Sequence, residues 1–119
     1  MARKKPINSR QKGARGEREL SSLLNEKYGY KTRRGQQYCG ANGDPDVVGI
    51  SGLHIECKRV EKLNIEKALT QAIDDARSGE IPAVFHRKDK DYWKVTVTLE
   101  DFMELWSVYE REVLGNESV

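Results

Sequence analysis

The sequence predicts an α/β fold, a central mixed sheet of five strands flanked by helices. Three observations carry this prediction. Residues 14–28 and 65–78 repeat apolar side chains at helical spacing. Between them, residues 46–50 and 53–58 read as a hairpin turning at Ser51-Gly52. Strand 53–58, helix 65–78 and a strand at 82–87 then make a β-α-β unit, with the two strands parallel and the crossover right-handed.

The 119 residues suit one domain at 13–119, preceded by a basic arm at 1–12. Residues 1–12 hold almost no apolar side chains, so the arm is expected to be flexible and to order on a polyanion. Leu20, Leu23, Leu24 and Tyr28 set the stripe of the first helix, and Gly29 stops it. Glu17 lies in line with that stripe and Glu19 lies off it. A carboxylate on a buried line is costly unless a cation meets it, so Glu17 is a candidate site residue. A short extended piece at Tyr30–Arg34 leads into a glycine-containing loop, Gly35 to Gly43. That loop lacks a Gly-Lys-Ser/Thr phosphate cradle, which argues against a nucleotide cofactor.

In strand 53–58, alternation puts Leu53, Ile55 and Cys57 on one face and His54, Glu56 and Lys58 on the other. Cys57 is expected in the core. A two-residue turn would place Asp46 on the face away from Glu56. A shared face requires a three-residue connection or a bulge at Gly49. His54 and His86 have no second His or Cys at ligand spacing, so neither is expected to bind metal. In the helix at 65–78, Asn64 caps the start, Gly79 follows the end, and Ile65, Ala68, Leu69, Ala72, Ile73 and Ala76 form the apolar face. Gln71 lies off that face, toward the edge of the site. Strands at 82–87 and 92–98 follow, the first bringing His86 and Arg87 into question as added positive charge. A last helix at 99–114 starts at a Thr98/Asp101 cap and carries Phe102, Trp106, Tyr109 and Val113 on one stripe. Those aromatics, with Trp93, Val95 and Val97, are either core or a surface for a second copy.

Charge divides the chain. Residues 1–40 carry 11 Lys/Arg against 3 Asp/Glu, and residues 41–119 carry 10 against 16. A basic front half is the electrostatic footprint of a phosphate-backbone partner. No stretch is long and apolar enough to span a membrane, and no apolar run follows the basic N-terminus as a secretory signal would require. Two cysteines, Cys39 and Cys57, give no disulfide framework and fit a reducing cytoplasm, prokaryotic or of a phage-infected host.

Asp46 and Glu56 are hard oxygen ligands, and Lys58 beside a metal-bound water helps to make a nucleophile. Pro45-Asp46 followed by Glu56-Cys57-Lys58 on a strand, after a helix bearing Glu17, resembles the PD-(D/E)XK nuclease superfamily. The run Lys12-Gly13-Ala14-Arg15-Gly16-Glu17-Arg18-Glu19-Leu20 is similar to archaeal-type Holliday-junction resolvases and their phage relatives. The resemblance implies a restriction-endonuclease-like core and a metal-dependent endonuclease using Mg²⁺, with Mn²⁺ able to substitute. It implies Glu17, Asp46, Glu56 and Lys58 as the catalytic set. Asp46, Glu56 and the backbone carbonyl of Cys57 would ligate metal, with Glu17 acting through water. Arg15, Arg18, Lys31, Arg33 and Arg34, with Arg3, Lys4, Lys5, Arg10 and Lys12 of the arm, would meet branched or duplex DNA. Symmetric incision of a junction implies a homodimer. The alternatives are another endonuclease on the same core, cutting nicked, flap or duplex DNA, and a nucleic-acid-binding module that does not cut.

Overall fold

The computed structural model describes residues 9–36 and 44–115. In chain order the elements are α1 (Ser9–Tyr28), β1 (Arg33–Arg34), β2 (Val47–Val48), β3 (Leu53–Arg59), α2 (Ile65–Asp75), β4 (Ile81–Arg87), β5 (Lys94–Thr96) and α3 (Leu99–Glu112). The strands form one five-stranded sheet in the order β1-β2-β3-β4-β5. Neighbours are antiparallel except β3 and β4, which run parallel as a β-α-β unit demands. This is the mixed α/β architecture of a restriction-endonuclease-like fold.

The two faces of β3 are covered differently. Ile55 and Cys57 pack with Val47 against Leu20 and Leu24 of α1, joined at the edges by Phe85 and Trp93. On the opposite face Ala68 and Ala72 of α2 close on Val84 of β4, and the small alanines let this helix sit near the sheet. α1 also approaches closely, because Gly16 has no side chain. A Cβ there would come 2.9 Å from Arg59 Cβ. Glu19 fixes this contact, accepting from Arg59 Nε at 3.0 Å and from Arg87 Nε at 2.6 Å. The ion pairs hold α1 to the C-terminal ends of β3 and β4.

Several boundaries differ from the sequence expectation. α1 starts at Ser9, before its apolar stripe begins, so the backbone of Arg10 and Lys12 is helical. Arg, Gln and Lys are good helix formers and need no buried face to extend a helix by one turn. Arg3, Lys4, Lys5, Cys39 and the side chains of Arg10 and Lys12 lie outside the described residues. α2 ends at Asp75 because Ala76 turns to extended backbone, φ −66° and ψ 141°. Arg77 N then bonds Glu80 Oε1 at 2.8 Å, making a turn in place of the last helical turn.

The largest correction concerns α3. Thr98 caps it as expected, its Oγ1 accepting from Asp101 N at 3.1 Å. No residue of α3 is buried, however, and Phe102, Met103, Leu105, Trp106 and Tyr109 are all exposed. The stripe is therefore not core. Its rings stack along the helix, with Phe102–Trp106 centroids 6.3 Å apart and Trp106–Tyr109 centroids 5.2 Å apart. Of the strand residues grouped with them, Trp93 packs on the α1-side core while Val95 is exposed.

Candidate active site

The β2–β3 hairpin decides whether Asp46 and Glu56 meet. Val47 pairs with Ile55, while Leu53 N bonds Ile50 O at 3.3 Å across the Ser51-Gly52 turn, so Gly49, at φ 121°, is the extra residue that shifts the register. Continued by one step, that register sets Asp46 opposite Glu56. The ladder is also irregular here. Asp46 N bonds Ile55 O at 2.9 Å, and Asp46 Oδ2 accepts from Cys57 N at 2.8 Å. Part of the strand pairing is thus made by the side chain, which fixes the carboxylate over β3.

Asp46, Glu56 and Glu17 are all buried, at 8%, 8% and 7% exposure. Glu56 is pushed up to about 8, first by burial and then by the charge and hydrogen bond of Asp46, with Lys58 opposing. The Glu56 carboxyl therefore holds its proton near neutral pH. Glu17 is also raised, first by burial and further by Asp46's charge. Against this, Arg34 Nε donates to Glu17 Oε2 at 3.0 Å. Glu17 and Glu56 each feel Asp46's charge, and Glu56 feels that of Lys58, so Asp46 links the acids. A proton held on a buried carboxyl beside Asp46 marks a position that suits a cation, so the donor set fits a hard metal.

Arg34 is the one cationic residue of the expected DNA-binding group that enters this cluster among the described residues. Its position depends on a polar latch that sequence reading missed. Thr32 is buried between α1 and β1. Its N–H donates to Asn25 Oδ1 at 2.7 Å, and its hydroxyl lies 2.7 Å from Ser21 Oγ. Asn25 Nδ2 returns a bond to Thr32 O at 3.0 Å. The short polar residues of the two segments were the available signal. Arg15, Arg18, Lys31 and Arg33 stand exposed.

Lys58 lines a cavity of about 300 Å³ together with Asn64, Lys67 and Gln71. Gln71 Nε2 donates to Asp75 Oδ2 at 2.7 Å. The two residues of β4 held open as extra positive charge are used elsewhere. His86 Nε2 lies 2.8 Å from Thr96 Oγ1, and burial lowers its pKa. Arg87 is bound to Glu19 and lies over the Trp93 ring. Cys57 is a core thiol, and burial, with Asp46's charge, pushes it up and away from nucleophile chemistry.

A mixed sheet that brings an acid from the first helix to two strand-borne acids and a lysine defines a nuclease of the PD-(D/E)XK type. Residues 8–117 match the model of the family described as "Phage putative PDDEXK endonuclease", and the chain belongs to that family. Comparison with curated proteins finds no match. Membership implies a DNA substrate, and nucleases of this type generally use divalent metal ions. No helix among the described residues is long and apolar enough to cross a membrane.

Proposed function

We propose that this protein is a Mg²⁺-dependent, structure-specific endodeoxyribonuclease that resolves four-way DNA junctions as a homodimer. The observation that carries the nuclease part is the buried pair Asp46–Glu56, with Glu17 beside Asp46 and Lys58 beside Glu56. Asp46, Glu56 and the Cys57 carbonyl would hold the ion, with Glu17 completing the site through water. When bound, Mg²⁺ supplies charge stabilisation at the scissile phosphate and lowers the pKa of a water.

The protein groups do the rest. Cys57 N–H holds Asp46 in place. Arg34 keeps Glu17 in reach while presenting a cation beside the phosphate path. Lys58 orients the attacking water and receives or relays its proton. Exposed Arg15, Arg18, Lys31 and Arg33 bind backbone phosphates, so recognition is by shape rather than by base edges. The homodimer is supported by α3, whose apolar face has no cover among the described residues. A junction cut symmetrically requires two sites related by a two-fold axis.

The test offers four-way junctions, flaps, nicked duplex and linear duplex with Mg²⁺ and maps the cuts. Paired, symmetric incisions at the junction are expected, with both Asp46→Ala and Glu56→Ala inactive but still bound to the junction. Preference for linear duplex would retire the junction reading. Cleavage by the two variants at the wild-type rate would retire the site.

A further inference from the structure

On the α2 face of β3 a second group of ligating side chains surrounds His54. This histidine is 1% exposed and lies deep in the fold. Its Nε2 is 3.1 Å from Glu56 Oε1, and its Nδ1 faces Glu80 Oε1 at 3.6 Å. Nδ1 is buried without a hydrogen-bond partner. The ring thus lies between two carboxyl groups, with no partner for Nδ1. A cation at Nε2, with the ring proton on Nδ1 toward Glu80, would satisfy both sides of the ring.

Asp75 completes the group. One ligand atom from each of His54, Glu56 and Asp75 lies within 4.8 Å of the others. Asp75 ends α2 and is held by Gln71 Nε2. Two donors each about 2.1 Å from one ion and 3.1 Å apart subtend an angle of about 95°, which is accessible to a coordination sphere. With the metal on Nε2, the Nδ1–H turns to Glu80, the carboxylate–histidine–metal arrangement that fixes ring orientation.

We infer that His54, Glu56 and Asp75 form a second divalent-metal site, selective for a first-row transition ion such as Zn²⁺, Mn²⁺ or Co²⁺. An imidazole ligand disfavours Mg²⁺ and suits these softer ions. Glu80 and Gln71 orient the ligands. The site shares Glu56 with the proposed nuclease centre, and His54 lies against that carboxylate at 3.1 Å.

The chain has two histidines, so ring-nitrogen NMR separates them without crowding. Titrating the full-length, ¹⁵N-labelled protein with Zn²⁺ should move the His54 ring signals to a metal-bound form protonated at Nδ1, with His86 as internal reference. Asp75→Asn should weaken Zn²⁺ binding at His54 tenfold or more, while Asp46→Asn should leave the Zn²⁺-induced His54 shift in place. His54 signals unmoved at saturating Zn²⁺, or equal affinity in Asp75→Asn, would overturn the inference. Since DNA cleavage is not the readout, an unmoved His54 in an active enzyme retires this site alone. A Zn²⁺-shifted His54 in a protein that cuts no DNA retires the nuclease reading alone.

Discussion

Glu56 makes the stability of the metal-free protein depend on pH in the direction opposite to that of a salt-bridged acid. Its ordinary value is 4.5, and burial beside Asp46 pushes it up to about 8 in the folded chain. The folded state therefore binds a proton more tightly than the unfolded one. Its contribution is fully present below 4.5 and is lost as pH rises through 8. Taken over that whole interval, the difference corresponds to about 5 kcal/mol. At about 4 °C per kcal/mol for a domain of this size, even half of it lowers Tm by roughly 10 °C. The assay is thermal unfolding in chelator at pH 5.5, 7.0 and 8.5, repeated with Mg²⁺. Tm should fall across the series in chelator, and Mg²⁺ should restore most at pH 8.5, where it faces least competition from the proton. Glu56→Gln should flatten the chelator series. A Tm that stays level or rises from pH 5.5 to 8.5 would show that Glu56 does not hold a proton in the fold and would refute the reasoning.

Other perturbations address the neighbouring groups. Lys58→Met should slow Mg²⁺-dependent cleavage by about 10²-fold or more while Tm changes little, read from single-turnover rates beside a melting curve. Arg34→Ala removes the bond that opposes Glu17's raised pKa. Its pH–rate profile should therefore shift to higher pH, and junction affinity should drop with a shallower salt dependence. Ser21→Ala should cost about 1 kcal/mol in denaturant unfolding by removing one hydroxyl bond to buried Thr32, which keeps Asn25 and the residue-21 carbonyl as partners. Trp106→Glu should yield a monomer by sedimentation, and the same protein should nick a junction without paired cuts.

Legibility in the sequence followed the range of the interaction. Periodicity placed α1, the β3–α2–β4 unit and the helix cap at Thr98, because each is set by residues a few positions apart. It also marked Glu17 as out of place on an apolar line, and the structure puts that residue beside Asp46. The hairpin is open by one residue, since Ser51-Gly52 marks the turn but not whether Gly49 bulges. What closes it is a tertiary bond that Cys57 N donates to Asp46. The Arg34–Glu17 pair and the grouping of His54 with Asp75 and Glu80 were invisible for a related reason. Their partners are brought together by the sheet and helix ends, and nothing in linear spacing records that. His54 was set aside because no ligand follows it at metal-motif spacing, yet the neighbouring ligands come from the end of α2 and the start of β4. Periodicity could show that α3 has a face to cover but not that the described residues leave it uncovered.

The junction of Gly35 with the start of β2 has a consequence for how such a protein changes its target. Gly35 N bonds Asp46 O at 2.9 Å, and a Cβ at Gly35 would fall 1.8 Å from Pro45 O. Gly35 and Pro45 thus meet in a clasp that only glycine fits, next to a proposed metal ligand. Closing a loop costs only about 0.6 kcal/mol more per doubling of its length. The sequence between the two halves of the clasp is therefore free to vary in length and composition, while the clasp keeps Asp46 where it is.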